Sequence, residues 1–198
     1  QKGAESYITF PDFAGRVSYY GQPGLNLGLS GYVGNSESKA YDGLNLEDDV
    51  AVASADSTII GIQMIGIDAR YQHNALQLRA QYIMANLSNT DQYNSFTGKD
   101  LGSKITGYYA ELGYNLLASQ STTNELIGFA RYENYDTHAE VEAGTTLEEA
   151  YNRTEITLGI GFKVAAGAMF KADYQLLSNA SDPDDKKNQF NFGIAIWF

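Results

Sequence analysis

Seven cationic side chains, Arg16, Arg70, Arg79, Arg131, Arg153, Lys163 and Lys171, each stand on the polar side of a segment that alternates polar and apolar residues. The same sides carry five carboxylates, Asp68, Glu111, Glu133, Glu155 and Asp173. A ring of cations along a wall concentrates small anions, and the planar fork of arginine can hold a phosphate through two of its oxygens. Alternatively, the two signs pair and merely keep the wall solvated. Seven cations against five anions is a mixed wall, which speaks for pairing.

Other chemistry has little to work with. His73 falls in a short turn and His138 in an acidic link, so neither stands beside a serine nucleophile on a common wall. The chain has no cysteine, which removes disulfides, thiolate metal sites and cysteine nucleophiles together. Runs such as DGLNLEDD (42–49) and SDPDDKK (181–187) gather carboxylates without the spacing of a calcium loop, so they read as a solvated negative rim. We expect no catalytic residues, no metal and no cofactor. A formal net charge of −11 argues against nucleic acid, whose phosphate backbone requires a basic surface.

The elements that must position the charges are strands. Alternating segments run over about 13–20, 25–34, 59–72, 76–87, 103–116, 124–136, 152–164, 168–178 and 188–198, nine in all. Helical periodicity is weak everywhere; its best candidate, TTLEEAYNR (145–153), reads better as a loop. The links alternate strictly between short (21–24, 73–75, 117–123 and 165–167) and long (35–58, 88–102, 137–151 and 179–187). Most of the acids lie in the long ones, whereas all five arginines lie on strands.

The fold class is therefore all-β, a single antiparallel barrel domain over residues 1–198. Alternation alone does not say whether its apolar face points inward, as in a soluble ligand-binding barrel, or outward into lipid. Three features favour lipid: the alternation of short and long links, tyrosines near strand ends (Tyr19, Tyr71, Tyr108, Tyr114 and Tyr174), and the ending NQFNFGIAIWF. That ending places Phe190, Phe192, Ile194, Ile196 and Phe198 on one face, which something must cover. No apolar run is long enough for a membrane-spanning helix, but a transmembrane barrel needs none. The first residues show no signal peptide, so any leader has been removed or lies outside this chain. Bacterial barrels have an even strand number, so nine strands imply the C-terminal portion of a longer barrel. If one strand is miscounted, a complete barrel of eight or ten strands is the alternative.

The stretches FAGRVSYYGQPGLNLGLSGYVGNS (13–36), GIDARYQHNALQLRAQY (66–82), GYYAELGYNLL (107–117), IGFARYENYDT (127–137), FKADYQLL (170–177) and the terminal FNFGIAIWF resemble the C-terminal half of phosphate-selective porin O and P type proteins. The resemblance runs along nearly the whole chain. It implies a sixteen-stranded channel of the bacterial outer membrane, often a homotrimer, whose lumen arginines and lysines draw small anions through. It also implies that Phe190, Phe192, Ile194, Ile196 and Phe198 belong to the signal read by the barrel-assembly machinery. The mixed wall departs from the family's phosphate-selective members and puts phosphate specificity in doubt. Small hydrophilic solutes, lipid and lipopolysaccharide are the expected partners. A structural barrel that docks into a larger envelope complex is the alternative.

Overall fold

The computed structural model describes residues 11–36, 43–45, 47–182, 184 and 186–196. Nine strands form one antiparallel sheet in which each pairs with its successor in the chain. They are β1 (Phe13–Gln22), β2 (Leu25–Asn35), β3 (Gly61–His73), β4 (Leu76–Ser88), β5 (Lys104–Asn115), β6 (Glu125–Glu140), β7 (Asn152–Ala165), β8 (Ala168–Asn179) and β9 (Lys187–Ile196). The meander does not close: β1 and β9 each have a single neighbour among the described residues.

Local chemistry explains the tight bends. Between β1 and β2, Pro23 is followed by Gly24 at φ +79°, a left-handed conformation in which a side chain would be strained. A Cβ at Gly24 would also collide with the backbone oxygen of Gln72. Between β3 and β4, Asn74 takes the left-handed position at φ +51°, which asparagine tolerates better than most residues.

The long links carry more structure than periodicity foretells. Helix α1 (Asp49–Asp56) is started by Asp48, whose carboxylate accepts from the backbone N–H groups of Val50 and Ala51 at 3.1 Å each. Helix α2 (Thr90–Thr97) follows β4 and ends at Gly98, φ +68°. Both have only eight residues, too few for a face to repeat convincingly at period 3.6. The run 145–153 does not form a helix; it holds a single 3-10 turn at Glu149–Tyr151. Strand β6 runs on to Glu140, so His138 stands on a strand end and is only 3% exposed. His73 is the last residue of β3 and not part of the turn itself.

The two faces of the sheet differ in an unusual direction. On β7, Thr157 on the polar face is 7% exposed, whereas its neighbours Leu158 and Ile160 on the opposite face are 53% and 51% exposed. Across the sheet the same inversion holds: Asp173 is buried on the polar face, and Leu29, Ile67, Leu112 and Phe192 are exposed on the other. Burial on the polar face comes from side chains crowding over glycines. A Cβ on Gly159 would meet the Phe129 ring and lie 2.7 Å from the Cβ of Asp173.

The apolar face has a limit. On β7 it runs from Ile156 to Val164, roughly 26 Å at about 3.3 Å per residue. Beside the long links the same face changes to Gln63, Asn86, Lys104, Asp136, Asn152 and Asn188. The result is an apolar band with a polar margin.

Gly159→Val is expected to destabilise the sheet by about 1–3 kcal/mol, because the added carbons must displace Phe129 and Asp173. Gly193→Ala, where a Cβ meets nothing within 4 Å, should leave stability nearly unchanged. Denaturant midpoints followed by circular dichroism test the contrast; equal midpoints would contradict the crowding described.

Candidate functional site

All twelve charged residues expected on one wall lie on the polar face, because register keeps parity from strand to strand. Arg70, Arg79, Glu111 and Arg131 are consecutive cross-strand partners in one row. Asp68, Gln81, Tyr109, Glu133 and Glu155 form the adjacent row, two residues further along each strand. Beyond it, Arg16 and Arg153 stand in a third row, near opposite edges of the sheet. Lys163, Lys171 and Asp173 lie towards the short turns of β7 and β8.

Pairing dominates the wall. Arg16 reaches over β2 to Asp68 with two hydrogen bonds of 2.7 and 2.9 Å, crossing the space that a Cβ on Gly28 would take. Arg131 meets Glu133 at 2.7 Å and lies over the Tyr109 ring, 4.1 Å from its centroid. Lys171 is 3.2 Å from Asp173 and lies over Phe129 at 4.9 Å. Asp173 also accepts from the Asn191 amide at 2.9 Å. Arg79 and Glu111 make a looser contact of 3.6 Å.

Two details depart from the expected pairing. Glu155 accepts from the Tyr135 hydroxyl at 3.2 Å and meets no cation within 4.0 Å among the described residues, while Lys163 pairs with Glu125 at 2.9 Å. Glu125 shares the parity of Arg131, but at the start of its strand it merges with the preceding link. Tyr109, Phe129 and Tyr135 were hidden because alternation counts an aromatic ring as apolar, and here the rings support charges instead.

Arg70 and Arg153 have no carboxylate within 4.0 Å among the described residues. Arg70 is exposed and stands directly opposite the exposed Arg79, an arrangement of like charges that costs stability unless solvent or an anion occupies the space.

Phe190, Phe192, Ile194 and Ile196 are all on the apolar face and strongly exposed; Phe198 lies outside the described residues. At the other end, the link between β4 and β5 is tied to the one between β6 and β7. Asn94 donates to the Leu101 carbonyl at 2.9 Å and to the Thr145 hydroxyl at 3.0 Å. Tyr151 donates to the Asp100 carboxylate at 2.8 Å, and the His138 ring contacts the Asp100 carbonyl. The hydrogen bond to Asp100, and then its charge, hold the Tyr151 phenol above the usual tyrosine range. This tie is thus in place at neutral pH and is lost as pH rises through the elevated titration of the phenol. Among the described residues no three of His, Cys, Asp or Glu gather to hold a metal ion.

No family model matches the sequence, and neither does any solved structure. The chain is similar to an uncharacterized protein of Aquifex aeolicus (strain VF5), 29% identical over 197 residues. The similarity takes in 99% of this chain but 43% of that relative, so the chain spans less than half the relative's length.

Tyr151→Phe removes the bond to Asp100 without changing the ring. It is expected to speed tryptic cleavage after Lys99 several-fold at pH 8, as read by limited proteolysis. An unchanged rate would mean that the tie does not hold the link.

Proposed function

We propose that this chain is part of a β-barrel of the bacterial outer membrane, forming a water-filled channel through which small hydrophilic solutes diffuse passively. The observation that carries the reading is the inversion of the two faces. A sheet of a water-soluble protein covers its apolar face and presents charges to solvent. Here a band of exposed apolar residues with a polar margin, nine residues long on β7, suits a lipid-facing wall, which a tilted strand crosses in about 9–11 residues. The charged face would then line the lumen.

The unclosed meander requires further strands to complete such a barrel. A longer relative, of which the chain covers 43%, is consistent with such strands elsewhere in the polypeptide. The resemblance to phosphate-selective porins would make the whole barrel sixteen-stranded and place this chain in its C-terminal part. Phe190, Phe192, Ile194 and Ile196 would then face lipid and, with Phe198, carry the assembly signal, and the acidic links would face lipopolysaccharide on the outer side. A trimer would bury part of the same band.

Selectivity follows from the wall. Five of its seven cations are already paired with carboxylates, so the field in the lumen is mild. The cations that remain are Arg70, next to Arg79, and Arg153, against Glu155 as the carboxylate of the wall without a cation, giving a modest preference for anions, phosphate among them. The two open edges also favour a second reading, in which the sheet is completed by another polypeptide and anchors an envelope complex.

The full-length protein in planar bilayers should show stepwise conductance. A sealed bilayer at every protein concentration that inserts would refute the channel and leave the anchoring role. Reversing Arg70 and Arg79 to glutamate should lower the anion-to-cation permeability ratio by about twofold or more, read from the reversal potential in a salt gradient.

A further inference from the structure

At the short-turn end of the polar face, the link between β5 and β6 folds beside the turn between β3 and β4 and encloses a recess of about 440 Å³. Its lining is unlike the rest of the molecule. Gln72 and Gln77, direct cross-strand partners, line one side of it, and Gln120 and Asn124 approach from the link. None of these four amide side chains makes a hydrogen bond to another described residue, so each offers a free donor and a free acceptor. Glu125, the one charged residue of the lining, is occupied by Lys163 at 2.9 Å.

The link is held in shape independently of any ligand. The Asn115 side-chain oxygen accepts from the backbone of Leu117 at 3.1 Å and of Leu126 at 3.2 Å. The Thr122 hydroxyl accepts from the backbone of Asn124 at 3.1 Å. The amides are therefore presented by a fixed frame, which lowers the ordering cost of binding.

Convergent primary amides select by chemistry. Each carries two donors and an acceptor, which is what a hydroxyl or acetamido group, itself donor and acceptor, needs. An anion would meet acceptors as well as donors and no free cation. An apolar ligand would strip water from the amides without replacing it.

We propose that this recess binds neutral saccharide chains, through hydroxyl and acetamido groups. The assignment does not rest on the channel. If the sheet does belong to an outer-membrane barrel, the recess lies at its periplasmic mouth, and the saccharide comes either from an oligosaccharide in transit or from the cell-wall glycan.

The test uses the full-length protein in detergent micelles, with the side-chain amide signals followed by NMR. Titration with a maltohexaose and with a chitohexaose is expected to shift a small set of those signals saturably, in the millimolar range or tighter. The doubly substituted Gln77→Leu, Asn124→Leu protein should bind at least tenfold more weakly. Cosedimentation with purified cell-wall sacculi, competed by chitohexaose, would identify the wall polymer as the source; binding of the soluble sugars without cosedimentation would identify a diffusing one. Absence of saturable shifts in the wild-type protein with either sugar overturns the proposal, whether or not the double variant folds. So does an unchanged affinity in the folded variant. Conductance measured on the same preparation separates this result from the channel, since a conducting protein that binds no sugar refutes the recess alone.

Discussion

The hydrogen-bonded ladder from each strand to its successor carries nearly everything else. Strand pairing runs only between consecutive strands, and no second sheet packs against this one among the described residues. Period-two geometry gives each strand two sides, so a slip of one residue would exchange the charged face for the apolar one. The register shifts that do occur lie between Tyr19 and Gln22, Lys104 and Thr106, and Lys163 and Ala165, all close to strand ends. Irregularity is confined to the borders, and the middle of the sheet keeps its parity over all nine strands.

That constancy is what places charges from different strands within reach of one another. Arg16 and Asp68 sit two strands apart and meet only because Gly28 between them has no side chain. Pairs of this kind are partly exposed and add little to stability on their own. Their effect is on the field. A wall of seven unpaired cations would attract anions strongly; with most of them answered by a neighbouring carboxylate, the potential is reduced to a few local sites. Arg70 facing Arg79 is the clearest of these, and it exists because both belong to the same register row.

The strands were legible because their pattern is repeated and long: alternation predicts every one, and the ends differ by a few residues. The twelve charged residues were legible for the same reason, since parity is a property of each strand alone. What alternation could not give is pairing between strands, which depends on register; Lys163 finds Glu125, and Glu155 is left to Tyr135. Helices α1 and α2 were missed because eight residues offer too few turns for a moment to emerge. The long reach of β6 was missed because His138 and Glu140, beyond Asp136, look like a loop when read by polarity. They stand instead at the polar margin, where His138 is buried under Tyr151.

Two separate deficits remain in the sheet as it stands, and they constrain each other. The first is a face of exposed apolar side chains, which a solvent of hydrocarbon or a packed partner could cover. The second is the pair of edges, where β1 and β9 each present a row of backbone groups with no strand partner among the described residues. Lipid relieves the first deficit and aggravates the second, because no water is available in hydrocarbon to satisfy a free edge. A protein layer stacked on the apolar face relieves the first and leaves the second untouched. Val17 on β1 and Ile196 on β9 are 74% and 72% exposed, so the apolar face continues undiminished to both edges. A sheet that merely ended there in water would be expected to taper into polar side chains. With the apolar band continuing to both edges, strands added in the plane of the sheet would remove both deficits together, whereas a layer stacked on the face would remove only the first.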